Sequence, residues 1–220
     1  MLIYILTTMT EYNKNIIRMN KNIHQVLYNI IFTFLNFYDK HCFRRMNKYT
    51  NNIQITDLVS IKYKYLINLN DEILKKYKYV EKLYVCNSEE ITDLNHMINL
   101  KELYAIGNCN IENNSIDKLT RLKYLNVNFN KKITDINHMI ELKELDAGYN
   151  CGINDRGIIK LTNLEVLNIF ANKKITKINH MFKLKKLTAA GGCNISNDEI
   201  RNLSCLEYLN ANNNMNITDI

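Results

Sequence analysis

The 220-residue chain contains no proline and no tryptophan, and only six glycines and six cysteines. Without proline there is no proline-rich linker or recognition motif to place, and the few glycines form no phosphate-cradling loop. The six cysteines are too sparse for a disulfide scaffold and none stands in C-x-x-C spacing. Zinc is therefore unsupported and a reducing, intracellular setting is expected. Long apolar runs are missing as well. The longest candidate, Val26–Tyr38, is interrupted by Asn29 and Asn36 and falls short of the roughly 20 residues a membrane span needs, so no membrane association is expected. Met1–Leu6 is apolar but has neither a basic flank nor a cleavage site after it, so no secretory signal is expected. No serine nucleophile motif or paired-carboxylate string occurs. The chain reads as a non-enzyme with no catalytic residues, no cofactor and no metal.

Charge of one sign is abundant only at the start. Residues 1–79 carry twelve Lys or Arg against five Asp or Glu, whereas residues 80–220 carry seventeen of each. A nucleic-acid binder concentrates positive charge on the face that meets phosphate. The C-terminal two-thirds has no such excess, so nucleic acid is not an expected partner, and the basic N-terminal part reads as a solvated helix face.

What the sequence does have is a repeat. An aliphatic residue recurs at Val80, Leu100, Leu122, Leu142, Leu164, Leu184 and Leu206, at intervals that alternate between 20 and 22 residues. Two kinds of unit therefore alternate, and the full period is 42 residues. The short unit reads LKYLNVNFNKKITDINHMIE from Leu122, with sister copies from Val80 and Leu164 and a cut-off copy from Leu206. The long unit reads LKELDAGYNCGINDRGIIKLTN from Leu142, with copies from Leu100 and Leu184.

Within each unit, L-x-x-L-x-(V/I/A) alternates inward and outward positions and predicts a short strand with its apolar side chains in the core. The ninth place predicts an inward Asn at Asn108, Asn130, Asn150, Asn172 and Asn214, satisfying backbone groups of neighbouring coils that water cannot reach; Ser88 and Gly192 depart from it. Ile, Ile or Leu, and Met at three-residue spacing, as at Ile133, Ile136 and Met139, predict a short 3₁₀ or α turn on the return side. His96, His138 and His180 recur two coils apart. Strands about 4.8 Å apart would place them roughly 10 Å from one another, too far for one metal. Cys109, Cys151 and Cys193 recur in the same way and read as buried core thiols. The ITD aspartates Asp93, Asp135 and Asp219 are replaced by Lys177 in one copy, which suits a turn role. Lys131–Lys132 and Lys173–Lys174 predict a small solvated basic edge.

These strings resemble leucine-rich repeats over about 140 residues: the ITDI units resemble the short class, the N-C-x-I units the cysteine-containing class often joined to an F-box. The resemblance implies an α/β fold, a curved parallel β-sheet solenoid with short convex helical turns, preceded by a small helical N-terminal segment. The expected organisation is a helical segment over 1–57, a degenerate repeat or cap over 58–79, and repeats over 80–220, about six full units and the cut-off seventh. NDEI at Asn70–Ile73 repeats the string at Asn197–Ile200 one residue out of register.

Residues 23–50 have apolar positions at helical spacing, with Asp39 as an N-cap. In this register the segment resembles an F-box. Leu27 and Ile31 match the first-helix hydrophobes, Phe34 and Leu35 the Phe-Leu pair, Asp39 the following acid and Phe43 the next hydrophobe. His24 replaces the usual Pro and Lys40 an apolar residue, so a plain helical cap stays open. The resemblance implies an adaptor of the Skp1 type as partner and a substrate-receptor role for a ubiquitin ligase. The other reading is a structural or decoy repeat protein with no ubiquitin link. Either way the repeats are expected to bind a protein through the outward strand places of the concave face, with Tyr84, Tyr104, Tyr124, Asn126, Asp146, Asn168, Phe170 and Tyr208 as candidate contacts. Aromatic anchors within a polar surround are what protein interfaces use.

Overall fold

The computed structural model describes residues 70–218, apart from 76 and 78; the F-box-like segment lies outside the described residues. Each coil contributes one three-residue strand: β1 (Lys82–Tyr84), β2 (Glu102–Tyr104), β3 (Tyr124–Asn126), β4 (Glu144–Asp146), β5 (Val166–Asn168), β6 (Lys186–Thr188) and β7 (Tyr208–Asn210). They pair in chain order as one parallel sheet. The register aligns the central leucine of every strand with its neighbours, from Leu83 through Leu145 to Leu209.

The strands form because the repeat alternates. The central leucine points inward and its neighbours point out, so Leu83, Leu103, Leu125, Leu145, Leu167 and Leu187 are buried. The first place of each unit, Val80 to Leu184, is buried beside them. The sixth place alternates in size: Val85, Val127 and Ile169 in short units, Ala105, Ala147 and Ala189 in long ones. Burying each Leu or Ile stabilises by roughly 1.5–3 kcal/mol, but one coil cannot cover its own apolar face. The stack therefore forms one continuous core.

After each strand the chain turns sharply at the eighth place, which is left-handed in every coil: Asn87, Gly107, Phe129, Tyr149, Ala171, Gly191 and Asn213 have φ between 52° and 75°. Gly and Asn adopt this conformation readily, whereas a bulky side chain costs on the order of 1 kcal/mol or more.

The return half differs between the two units. Long units carry one helical turn each: α1 (Asp71–Leu74), a 3₁₀ turn (Asn113–Ser115), α2 (Asp155–Ile158) and α3 (Asn197–Ile200). The short units form the turn that Ile133, Ile136 and Met139 predict without a continuous helix. They make successive three-residue closures, with Met139 N–H donating to the Ile136 carbonyl and Leu142 N–H to that of Met139, both at 3.0 Å. The apolar spacing is served equally by consecutive turns, and Ile133, Ile136 and Met139 are all buried.

Side chains on the return half join coil to coil. Asp71 and Asp155 each accept from the backbone N–H and hydroxyl of a threonine one coil on, Thr92 and Thr176. Asn113 and Asn197 hold Thr134 and Thr218 at the same place, Oδ1 accepting from the threonine N–H while Nδ2 donates to its hydroxyl oxygen. Asp71 thus takes the place of Asn197, and Asn70, which caps α1 through Ile73 N–H, takes that of Ser196, the N-cap of α3. This is the structural meaning of the one-residue offset between the two NDEI strings. The ITD aspartates act as turn formers, Asp93 and Asp135 accepting from the N–H of Asn95 and Asn137 at 2.9 Å. Where Lys177 replaces aspartate, the Glu199 carboxylate of the next coil accepts from Ile178 and Asn179 instead. Two members of the histidine column join coils: Nε2 of His138 and His180 donates to the Ile116 and Ile158 carbonyls at 3.0 and 3.2 Å, whereas Nε2 of His96 is buried with no such bond.

Candidate interaction surface

Behind the sheet lies a polar column that fixes where the outward side chains stand. Asn130, Asn172 and Asn214 are buried, as their ninth-place position predicts. Asn172 Nδ2 donates to the Ala147 carbonyl at 2.7 Å, with longer contacts to Cys151 Sγ and the Ile153 carbonyl; its Oδ1 accepts from Lys174 and Ile175 N–H at 2.8 and 3.2 Å. Asn130 and Asn214 repeat these donor contacts onto the coils before them.

Asn108 and Asn150 do not join this column; both are exposed. In long units the inward place belongs to the next residue, Cys109, Cys151 or Cys193, all buried. The long unit has one extra residue before the column and one after it. Successive members, Cys109, Asn130, Cys151, Asn172, Cys193 and Asn214, are therefore evenly spaced although the leucines are not. Cys151 and Cys193 donate their thiols to the Ala147 and Ala189 carbonyls at 3.1 and 2.9 Å. A cysteine thus fills the slot while the asparagines bond both ways.

Burial pushes the thiols of Cys109, Cys151 and Cys193 up from their ordinary value, so little thiolate forms at mild alkaline pH. Iodoacetamide at pH 8 is expected to label Cys205, which is exposed, in the native protein. The three column cysteines are expected to react only after denaturation. Peptide mass mapping checks this, and native labelling of Cys151 would contradict it.

In front of the column, the solvent face of the sheet carries an aromatic stripe. Tyr84 and Tyr104 are register partners on β1 and β2 with ring centroids 5.8 Å apart. Tyr124 stands opposite Glu102 rather than Tyr104, so it joins the stripe diagonally, 4.9 Å from Tyr104. Beside the stripe Lys82 pairs with Glu102 at 2.7 Å. The stripe ends in a hydrogen-bonded cluster. The Tyr124 hydroxyl donates to Asp146 at 2.5 Å, and Asn126 Nδ2 donates to Asp146 and to the Tyr124 oxygen at 3.1 and 3.2 Å.

Asn126 and Asn168, candidate contacts by position, also serve the fold. Their Oδ1 atoms accept from the N–H of Asn128 and Phe170, two residues on, and Asn210 does the same for Asn212. The fifth-place Asn of each of these short units therefore shapes the exit from its strand. Tyr208 lies apart from the stripe on β7, 53% exposed.

Burial, reinforced by the bond to Asp146, pushes the Tyr124 phenol well above its ordinary range. Its contribution to stability is complete below the unfolded phenol value near about 10 and is lost as pH rises from there through the folded value. Tyr124→Phe is expected to flatten the alkaline arm of the stability curve, checked by urea midpoints from pH 8 to 11.

Phe170 belongs to a second cluster, along the turn edge. Phe129 stacks on Tyr149 with centroids 4.2 Å apart and planes 16° apart, and Tyr149 meets Phe170 at 5.2 Å. Neither Phe129 nor Tyr149 occupies an outward strand place, so the strand pattern passes over both. The eighth place holds Asn, Gly or Ala in the other five coils, and an aromatic in that series is the signal that marks them.

No family model matches the chain, and no curated protein matches it in sequence. Solved structures do resemble it. The internalin InlF of Listeria monocytogenes aligns at 24% identity over 82% of this chain and 69% of its own, with a TM-score of 0.52. Internalin C2 of the same organism aligns at 25% identity over 66% of each chain, again with a TM-score of 0.52. A leucine-rich-repeat protein of Leptospira interrogans aligns at 20% identity over 66% of this chain and 46% of its own, with a TM-score of 0.43. The fold is a leucine-rich-repeat solenoid. In such a solenoid the strands of consecutive coils form one parallel sheet, here bearing the tyrosine stripe, and the turn edge beside it bears the second aromatic cluster. Among the described residues there is no metal-binding group of His, Cys, Asp and Glu, and no helix long and apolar enough to cross a membrane.

Proposed function

We propose that the chain is a non-enzymatic protein-binding module of an intracellular setting, its partner lying along the solvent face of the parallel sheet. The likeness to solved leucine-rich-repeat structures supports an interaction module in general. The observation that carries the finer reading is the stripe of Tyr84, Tyr104 and Tyr124, half-buried on rigid strands and tied to Asp146. Aromatic side chains already held in place lose little conformational freedom on binding, and Tyr is a preferred hot-spot residue. The experiment is affinity capture with the full chain and with Tyr104→Asp. Partners retained by the native chain are expected to be lost with the variant, while circular dichroism shows the fold retained despite a lower melting temperature from the lost ring contacts. Retention of the same partners would refute the sheet-face reading.

The F-box-like segment supplies a finer proposal, carried by sequence alone: that Leu27, Ile31, Phe34, Leu35, Asp39 and Phe43 dock a Skp1-type adaptor and the repeats present a substrate to a ubiquitin ligase. Adaptor pull-down by the intact chain, lost with Leu27→Asp plus Phe34→Asp, is the expected result. No pull-down by the intact chain would leave the structural or decoy repeat protein as the reading.

A further inference from the structure

The turn-edge cluster has three features that architecture alone does not account for. Phe129, Tyr149 and Phe170 are 48%, 39% and 36% exposed, so three large rings face water side by side. Two of them carry this exposure in a costly backbone conformation, with φ of 63° at Phe129 and 59° at Tyr149. Asn87 and Asn213 make the same turn at φ of 52° and 60°, so an aromatic is not needed to form it. The cluster is also built on rather than loose. The Phe170 ring covers Gly191 so closely that a Cβ there would lie 2.9 Å from the ring. Exposed aromatics held in a strained conformation are the combination expected where binding, and not folding, sets the residue.

The surroundings indicate what binds. Phe129 is followed by Lys131–Lys132 and Phe170 by Lys173–Lys174, all exposed, and the turn segments 127–134, 147–153 and 169–176 contain no carboxylate. Lys174 Nζ lies 2.8 Å from the Cys151 carbonyl, which brings its charge onto the coil of Tyr149. The repeats as a whole are charge-neutral, and Asp155, which reaches the last of these segments from the neighbouring coil, is bonded to Thr176 and to Lys177 N–H, so the four lysines leave this edge net positive. We propose that the turn edge of the central coils is a second binding surface, whose occupant is an acidic protein segment with one or two large apolar residues. Its apolar residues pack on the ring cluster while its carboxylates meet the lysines. A single-stranded nucleic acid stacks successive bases on successive open ring faces, and the mutual stacking of Phe129 and Tyr149 leaves at most one such face on each. This surface shares no residue with the stripe of Tyr84, Tyr104 and Tyr124, so either reading can fail alone.

The test is selection from a phage-displayed library of random twelve-residue peptides on the full chain. The selected peptides are then measured by fluorescence anisotropy against variants. Phe129→Asn plus Tyr149→Asn places at the turn the residue that two other coils use. Lys131→Glu plus Lys173→Glu reverses the local charge. The expected result is enrichment of peptides with carboxylates flanking large apolar residues. They should bind at least tenfold more weakly to each double variant, with the melting temperature of the Asn variant equal to or above that of the native chain. Tyr104→Asp should bind them normally. The proposal is overturned by peptides without acidic residues, by peptides that bind the variants within twofold, or by failure to enrich any peptide over the Asn variant. It is equally overturned if a labelled oligo-dT binds this edge more tightly than any peptide.

Discussion

Asn172→Leu is expected to destabilise the protein by about 3 kcal/mol, while Asn150→Leu, a substitution at the same ninth place of the neighbouring unit, is expected to cost under about 0.5 kcal/mol. The two residues look alike in sequence and differ in burial: Asn172 is 1% exposed and Asn150 is on the surface. Leucine has nearly the right volume for the buried slot but can neither donate to the Ile153 carbonyl nor accept from Ile175 N–H. Each buried backbone group left without a partner costs about 1–3 kcal/mol. Against a total stability of roughly 5–15 kcal/mol, the urea midpoint should fall visibly. Asn172→Asp should be more damaging at pH 8 than at pH 5, because burial disfavours the carboxylate. Equal effects of Asn172→Leu and Asn150→Leu would contradict the placement of the polar column.

The second large effect concerns the leucine column. Leu145→Ala, on the central strand β4 and 1% exposed, is expected to cost about 3 kcal/mol, the range for a buried leucine whose cavity cannot collapse. Leu209→Ala, the same place on β7, is expected to cost about 1 kcal/mol, because Leu209 is covered from one side and only half-buried. A solenoid is held by contacts between neighbouring coils. A central cavity therefore weakens two coil interfaces that the whole stack depends on, whereas one in the last coil favours local fraying. Chemical denaturation followed by circular dichroism measures the difference. Equal losses at the two sites would argue against this nearest-neighbour picture.

Much of this architecture is legible in the sequence because the same side chains recur at fixed places. The leucine columns and the tyrosine stripe follow from alternation within L-x-x-L-x-(V/I/A), and the buried cysteines from their recurrence at one place of every long unit. Asn108 and Asn150 stand at the ninth place from the leucine, as Asn130 and Asn172 do, yet lie outside the core. The long unit inserts one residue between strand and polar column, so its cysteine, not its asparagine, reaches the core. The turn expected at Ile133–Met139 is present as consecutive three-residue closures without a continuous helix, a pattern that three-residue spacing serves equally. Phe129 and Tyr149 escaped because strand alternation stops at the seventh place. Beyond it, a left-handed residue redirects the chain, and its side chain answers to turn geometry. The diagonal entry of Tyr124 into the stripe follows from the same alternation, since it occupies the third place of its unit and Tyr104 the fifth.

A protein partner along the sheet face would lie within reach of Tyr104 and out of reach of the return half. The direct measurement is site-specific photo-crosslinking, with a photoreactive phenylalanine placed in turn at Tyr104 on the sheet and at Ile140 on the return half, where the side chain is 56% exposed. The account predicts a covalent partner adduct from position 104 and none from position 140. An adduct from position 140 with none from position 104 would contradict it.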